Sequence, residues 1–292
     1  MPSNINTVDI REWVERTHAD PQLYLERQAT EVLLTAIGQS KTYSNSLYLK
    51  GGMLMGIVYH SPRQTADLDF TARFSPCEDI ADTLSSELNV ELRRAAARLG
   101  YAQMVCRVQS IKKQPKKQNF VDARFPALDM KIAYAERGSG QHKRLERGEC
   151  PDTLEMEISF HEPIYNVEFV TLAPDSEFGV NTYSLIDVIA EKLRAFLQQE
   201  VRDRSRRQDI YDIDYLLTNI PLNEEDKSSI LEALKSKARA RDLEPTLDSF
   251  DNPALKERAR SRWTTIGLEL AELPDFDDSF SRVASFYRSL PW

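Results

Sequence analysis

The run Arg63-Gln64-Thr65-Ala66-Asp67-Leu68-Asp69-Phe70 places two carboxylates two residues apart, in a stretch that alternates polar and apolar residues. This alternation predicts a half-buried strand over 65–71, with Asp67 and Asp69 on one face and Leu68 and Phe70 on the other. Two like charges that close repel, and burying them is costly unless a cation neutralises the pair. Magnesium suits such a site, because it takes oxygen ligands from a few carboxylates and leaves positions for substrate phosphates. An isolated Asp-x-Asp is more simply two surface aspartates on an edge strand, so the neighbours decide. Arg63 can pair with phosphate bidentately, and Thr65 can supply a hydroxyl at the same mouth. Fifteen residues upstream, Gly51-Gly52 stands between an apolar strand-like run and a helix-like one, and Gly56 follows in a chain with only 10 glycines. A Gly-Gly pair there lets backbone N–H groups approach a phosphate closely; the plain alternative is a structural turn.

A second set of charged residues lies far along the chain. Ser184-Leu185-Ile186-Asp187 has the form of a capping box, opening a helix to about Gln199. At 100° per residue, Leu185, Val188, Ile189, Leu193, Phe196 and Leu197 form one apolar arc, with Asp187, Glu191 and Arg194 on the opposite, polar side. Lys192 falls inside the apolar arc, where it must snorkel out or meet an anion. In the next helix Asp209 sits within the arc of Ile210, Ile213, Leu216 and Leu217, and Asp212 is at its flank. Lys192 and Asp209 therefore form either a buried ion pair or part of a reactive site.

The elements that must position these groups follow from periodicity. Residues 9–38 read as helix, ended by Gly38, and 79–99 as an amphipathic helix closed by Gly100. Strands are expected at 47–50, 103–110, 126–135, 153–160 and 165–172. The polar stretch ERGSGQHKRLERGECPD between two of them reads as a mobile loop, and the chain is helical from Ser184 almost to its end, interrupted near Pro221, Pro245, Pro253 and Pro274. This order describes an α+β fold, a mixed β-sheet core with flanking helices and a helical C-terminal part. The 292 residues suffice for one large or two modest domains, and 41% apolar with 29% charged residues excludes a disordered or fibrous chain. No apolar run approaches the roughly 20 residues of a membrane span. The N-terminus lacks the basic-then-apolar order of a signal peptide, so a cytoplasmic location without membrane attachment is expected. Three scattered cysteines and four histidines show neither a disulfide framework nor zinc-ligand spacing. The net charge of −8 conceals residues 91–150, where 14 Lys/Arg face 6 Asp/Glu, and a run of arginines at 202, 204, 206 and 207. Locally basic surface on an acidic chain suits a polyanionic partner or a solvated loop.

Lys50-Gly51-Gly52 followed by Arg63-x-Thr65-x-Asp67-x-Asp69 resembles the nucleotidyltransferase signature, and this version is similar to that of the AbiEii/AbiGii toxin family. Lys192 within Ala190-Glu191-Lys192-Leu193-Arg194-Ala195, then Asp209-x-x-Asp212, resembles the later motifs of those toxins; the likeness covers about residues 44–218. It implies a helical segment at 1–43, a nucleotidyltransferase core at 44–180 and a helical domain at 181–292 that contributes to the active site. It further implies Mg²⁺ or Mn²⁺ on Asp67 and Asp69, nucleotide held by Gly51, Gly52, Arg63, Thr65 and Lys192, and Asp209 as base or metal-site partner. A third metal ligand is expected from a later strand, where Glu155 and Glu157 share a face and Glu157 is preferred. The implied activity is transfer of a nucleoside monophosphate from a nucleoside triphosphate to an acceptor, the tRNA 3′ end, by a toxin with a separate antitoxin or in phage defence. Two other classes stay open: transfer to a small molecule or protein, which the acidic total charge suits, and a non-catalytic nucleotide- or partner-binding module. The complete Asp67/Asp69/Lys192 set argues against the second.

Overall fold

Apolar and polar residues alternate along the central strands, and the fold turns this into one sheet with two unlike faces. The computed structural model describes residues 7–116, 119–199, 203, 205–268, 270 and 272–292. Seven strands, β1 (Leu47–Lys50), β2 (Leu68–Ala72), β3 (Met104–Gln114), β4 (Ala127–Glu136), β5 (Thr153–Ser159), β6 (Val167–Thr171) and β7 (Gly179–Tyr183), form a mixed sheet. Its order is β3-β4-β5-β2-β1-β7-β6, with β2 parallel to β5, β1 parallel to β7 and the other neighbours antiparallel. Leu49, Leu68, Phe70, Leu128, Met156 and Ile158 are buried on one face. Helices α2 (Pro21–Gln39) and α4 (Ile80–Arg98) join them in a single core, α4 through Ile80, Leu84, Leu88 and Leu92 at four-residue spacing.

The other face is polar. The register aligns Lys50, Asp69, Glu157, Asp129 and Lys112 in one row across β1, β2, β5, β4 and β3. Past Tyr183 the chain becomes helical: α6 (Leu185–Leu197), α7 (Arg207–Asn219), α8 (Glu224–Arg239), α9 (Pro253–Arg260) and α10 (Phe276–Arg288). Phe196, Phe250, Phe280 and Tyr287 stack at the centre of this helical part, with ring centroids 4.4–6.2 Å apart. No helix among the described residues is long and apolar enough to cross a membrane.

Four local expectations change. The helix expected over 9–38 is two, α1 (Ile10–Glu15) and α2, because Asp20 accepts the N–H groups of Gln22 and Leu23 and Pro21 starts a new helix. Gly38 does not end α2. A Cβ there would collide with the Gly179 carbonyl, so this glycine instead lets α2 approach β7, a strand that the sequence reading missed. The expected mobile loop contains α5 (Gly140–Glu146), capped by Ser139, which accepts from the His142 N–H, and anchored by buried Leu145. The strand expected over 65–71 spans Leu68–Ala72, so Asp67 stands just before it rather than within it.

Candidate active site

β1 leads straight into the short helix α3 (Gly51–Ile57), and Gly51 makes the turn with φ +72°. A Cβ at Gly51 would strike the Asp69 carboxylate, and one at Gly52 would lie 2.9 Å from Arg63 Nη2 and 3.0 Å from Thr65 Oγ1. The glycines thus seat the turn against Asp69 on one side and against Arg63 and Thr65 on the other.

Asp67 stands exposed just before β2, and Asp69 is half-buried within it. Burial and then the Asp67 charge raise the Asp69 pKa, with Lys50 and Lys192 pulling the other way. Glu157 is the registered neighbour of Asp69, and Asp129 is the next. Desolvation within the pocket raises Glu157 as well, reinforced by Asp69 and opposed by Lys50. Glu155 lies two residues away and pairs with Lys131 at 2.6 Å at the surface. Lys50, to which the sequence motif assigns no role, is buried, donates to Ser159 Oγ at 2.7 Å and pairs with Glu162, which also takes Arg241 at 2.8 Å. Burial alone would raise the Glu162 pKa, but Lys50 and Arg241 overcome it and hold the carboxyl well below its usual range.

From the helical side, Lys192 Nζ lies 2.5 Å from Asp212 Oδ2 and 3.6 Å from Asp209 Oδ1. The ion pair expected with Asp209 therefore forms chiefly with Asp212. Asp209 and Asp212 are about 60° apart on α7, so both turn toward α6, and the fully buried one makes the closer contact. Arg63 grips the same carboxylate with Nε at 3.1 Å and Nη2 at 3.2 Å. Burial would raise the Asp212 pKa, yet Lys192 and Arg63 hold it below the ordinary value. Asp209 is the reverse case: burial raises it, against Lys192 and Arg206. Its Oδ2 is buried without a hydrogen-bond partner among the described residues, and Arg206 Nη1 lies 3.9 Å away.

The polar side of α6 is covered rather than exposed. Asp187 is fully buried, accepts from the Tyr165 and Asn166 N–H groups at 3.0 and 2.5 Å, and pairs with Lys237 at 2.7 Å. Ser184 does cap α6, accepting from the Asp187 N–H at 3.2 Å, while the Asp187 carboxylate is engaged on residues 165–166 rather than closing a capping box. Arg194 is buried beside Glu191 and Gln198.

A cavity of about 580 Å³ brings the two sets together, lined by Gly51, Asp67, Asp69 and Glu157 from the sheet side and by Lys192 and Asp209 from the helices. A second, of about 360 Å³, opens from Asp67, Asp69 and Glu157 toward Lys112 and Lys116. Arg63 and Thr65 line a third, of about 840 Å³, that also reaches Asp67. No group of three or more acidic, histidine or cysteine side chains among the described residues stands close enough to hold a metal ion as it is. Of the basic clusters, Lys113 pairs with Glu78 at 3.1 Å and Arg207 donates to Thr265 at 2.8 Å. Lys117, Arg202 and Arg204 lie outside the described residues.

Comparison with known proteins gives an agreeing picture. Residues 33–282 match the sequence model of a family described as nucleotidyl transferase AbiEii toxin, type IV toxin–antitoxin system. Among solved structures, the fold is similar to MenT4, a nucleotidyltransferase toxin from Mycobacterium tuberculosis H37Rv. The TM-score is 0.55 at 16% identity, covering 96% of this chain and 90% of that one. No curated protein matches the sequence.

Proposed function

We propose, from the premise that the chain belongs to the AbiEii family of nucleotidyltransferase toxins of type IV toxin–antitoxin systems, that it moves a nucleoside monophosphate from a nucleoside triphosphate onto RNA. One observation carries the reading: Asp67, Asp69 and Glu157 line the same cavity as Lys192 and Asp209, although they come from separate parts of the chain. The donor set fits Mg²⁺ or Mn²⁺, since it is all oxygen and two of its carboxyls are driven toward protonation by burial and like charge, a cost that a cation removes. Asp67, Asp69 and Glu157 would hold the ion, which when bound neutralises phosphate charge during in-line displacement.

The remaining work falls to the chain's own groups. Gly51 and Gly52 let the turn sit against Asp69, Arg63 and Thr65, where its backbone N–H groups would meet phosphate oxygens, and Lys192, fixed by Asp212, presents positive charge to them. Arg63 acts through Asp212, holding the carboxylate that orients Lys192. Asp209 takes the proton of the acceptor hydroxyl as its oxygen bonds to the α-phosphorus and the bond to pyrophosphate breaks. A carboxyl whose pKa is raised by burial and whose Oδ2 has no hydrogen-bond partner among the described residues suits that task. The acceptor proposed is the tRNA 3′ end, and the setting a toxin restrained by its cognate antitoxin or a phage-defence system. Incubating the protein with each labelled nucleoside triphosphate and total RNA tests this. Label at the 3′ end of small RNA, lost with Asp69→Asn, is expected; label only in protein or small molecules would move the assignment to those acceptors.

A further inference from the structure

Beyond the acidic row, the polar sheet face continues over β5, β4 and β3. The cavity of about 360 Å³ occupies its near part, lined by Lys112, Lys116 and Lys131. A smaller one of about 170 Å³ follows along the same strands, lined by Arg107, Ala133, Leu145 and Arg147. Both lie on one face because of a β-bulge. Ser110 and Lys112 pair with Lys131 and Asp129, whereas Arg107 pairs with Ala133, so the register shifts between Val108 and Ser110. Were the strand to run regularly through Gln109 with no bulge, Arg107 would turn to the opposite, apolar face. The bulged residue, Gln109, donates to the Cys150 carbonyl at 3.1 Å and accepts its N–H at 2.9 Å, clamping the segment after α5. Leu145 packs against Ala133 and Ala135, so α5 stands on this same face with Lys143, Arg144 and Arg147 exposed.

The charge of this ledge is positive and unspent. Lys131 is paired with Glu155, and Asp129 accepts from Gln114 at 2.6 Å. Glu146 has His142 at 3.9 Å. Arg107, Lys112, Lys116, Lys143 and Arg144 have no ion-pair partner among the described residues, on a chain of net charge −8. From Asp129 to Ala133 the strand advances about 13 Å, the length of roughly four phosphates in a stacked strand. A small acceptor would fill only the first cavity. Cations spread over both match a phosphodiester backbone.

We propose that the β3–β4–α5 ledge is the track of a polynucleotide acceptor strand. Its reacting end lies at Asp69 and Glu157, and its backbone passes Lys112 and Lys116 toward Arg107, Arg144 and Arg147. The direction of the strand rests on the nucleotidyl-transfer reading, while the binding itself does not.

The test is equilibrium binding of a fluorescent RNA hairpin with a six-nucleotide 3′ overhang, across a salt series. It compares the unaltered protein with Arg107→Gln/Arg144→Gln/Arg147→Gln, all three exposed positions whose removal leaves the melting temperature as a folding control. The triple variant should bind at least about tenfold more weakly and lose about two units of log–log salt slope, near 0.7 per phosphate contact. A trinucleotide, too short to reach α5, should bind both proteins alike. The same overhang made of DNA identifies which polynucleotide is preferred; a parallel loss with either supports the ledge. Unchanged affinity and slope in the triple variant would overturn it. Binding through the ledge without transfer to the strand removes the transfer reading alone, and transfer with an unaltered slope in the variant removes the ledge alone.

Discussion

Asp69 is held between opposing influences: burial and Asp67 favour its protonated form, Lys50 and Lys192 its charged form. Asp69→Asn should therefore lower transfer by about a thousandfold or more, the several kcal/mol that a metal-held charge contributes. Melting should occur at the same or a higher temperature, because like-charge repulsion is relieved; near-normal transfer in magnesium would refute the two-carboxylate site. Asp212→Asn has the opposite signature. It leaves Arg63 and Lys192 without their buried counter-charge and should cost about 3–5 kcal/mol in denaturant unfolding. The Asp212 pKa is lowered in the fold, so its stabilisation is complete above the unfolded value of about 3.9 and disappears as pH falls through the folded value. Asp209 must be ionised to accept a proton, and its raised pKa puts the acid limb of kcat above the ordinary carboxylate range. Arg206 favours the ionised form, so Arg206→Gln should shift that limb to higher pH. A limb that stays in place would remove Asp209 as the base.

At the scale of single elements, the β1–α3 turn has an internal control. Gly51 and Gly100 both have positive φ, +72° and +77°, but a Cβ meets the Asp69 carboxylate at the first and nothing within 4 Å at the second. Alanine at either position should cost about 1–2 kcal/mol for the left-handed backbone. Only Gly51→Ala should also lose transfer, because it displaces Asp69; equal activity of the two variants would show that the turn is merely a turn. The Gly51-Gly52 turn and the Asp67/Asp69 pair were legible in the sequence because their signals are local: scarce glycine, period-two alternation. The meeting of Lys192 with Asp212 was not. Two aspartates three apart both face α6, and the choice between them depends on Arg63, 149 residues away in sequence. Glu157 was placed on the correct face from alternation, whereas only the β2–β5 register sets it beside Asp69. α5 was hidden by a polar composition typical of loops, its anchor being one leucine. β7 is five residues long and defined by pairing with distant β1 and β6. The polar side of α6 was legible but its burial was not, because charged residues at helical spacing show no partner until Lys237 is placed beside Asp187.

For the molecule as a whole, the site exists where the polar sheet face and the helical part meet. Several ties across that boundary are themselves ionic: Arg63 with Asp212, and Glu162, which holds Lys50 on one side and Arg241 on the other. Buried pairs of this kind add little net stability over apolar packing but are costly to break singly, so they fix alignment more than they add strength. The chain thus carries Asp67, Asp69 and Glu157, the candidate metal ligands, on one part and Lys192 and Asp209 on the other, with each set dependent on the other for its geometry.

The Arg63–Asp212 grip also has a bearing on synthesis. The acids at 67 and 69 leave the ribosome early, but Lys192 and Asp212 come more than a hundred residues later, a delay of roughly 7–30 s at ordinary elongation rates. Throughout that interval the growing chain has half of the candidate site and a loop whose arginine lacks its anchor, so a cell making this toxin meets no complete site until residue 212 has been added. Messages cut or stalled before codon 192 should yield harmless products. Expressing residues 1–190 beside the full chain, without antitoxin, checks this: growth arrest by the fragment would show that the early acids act without their late partners.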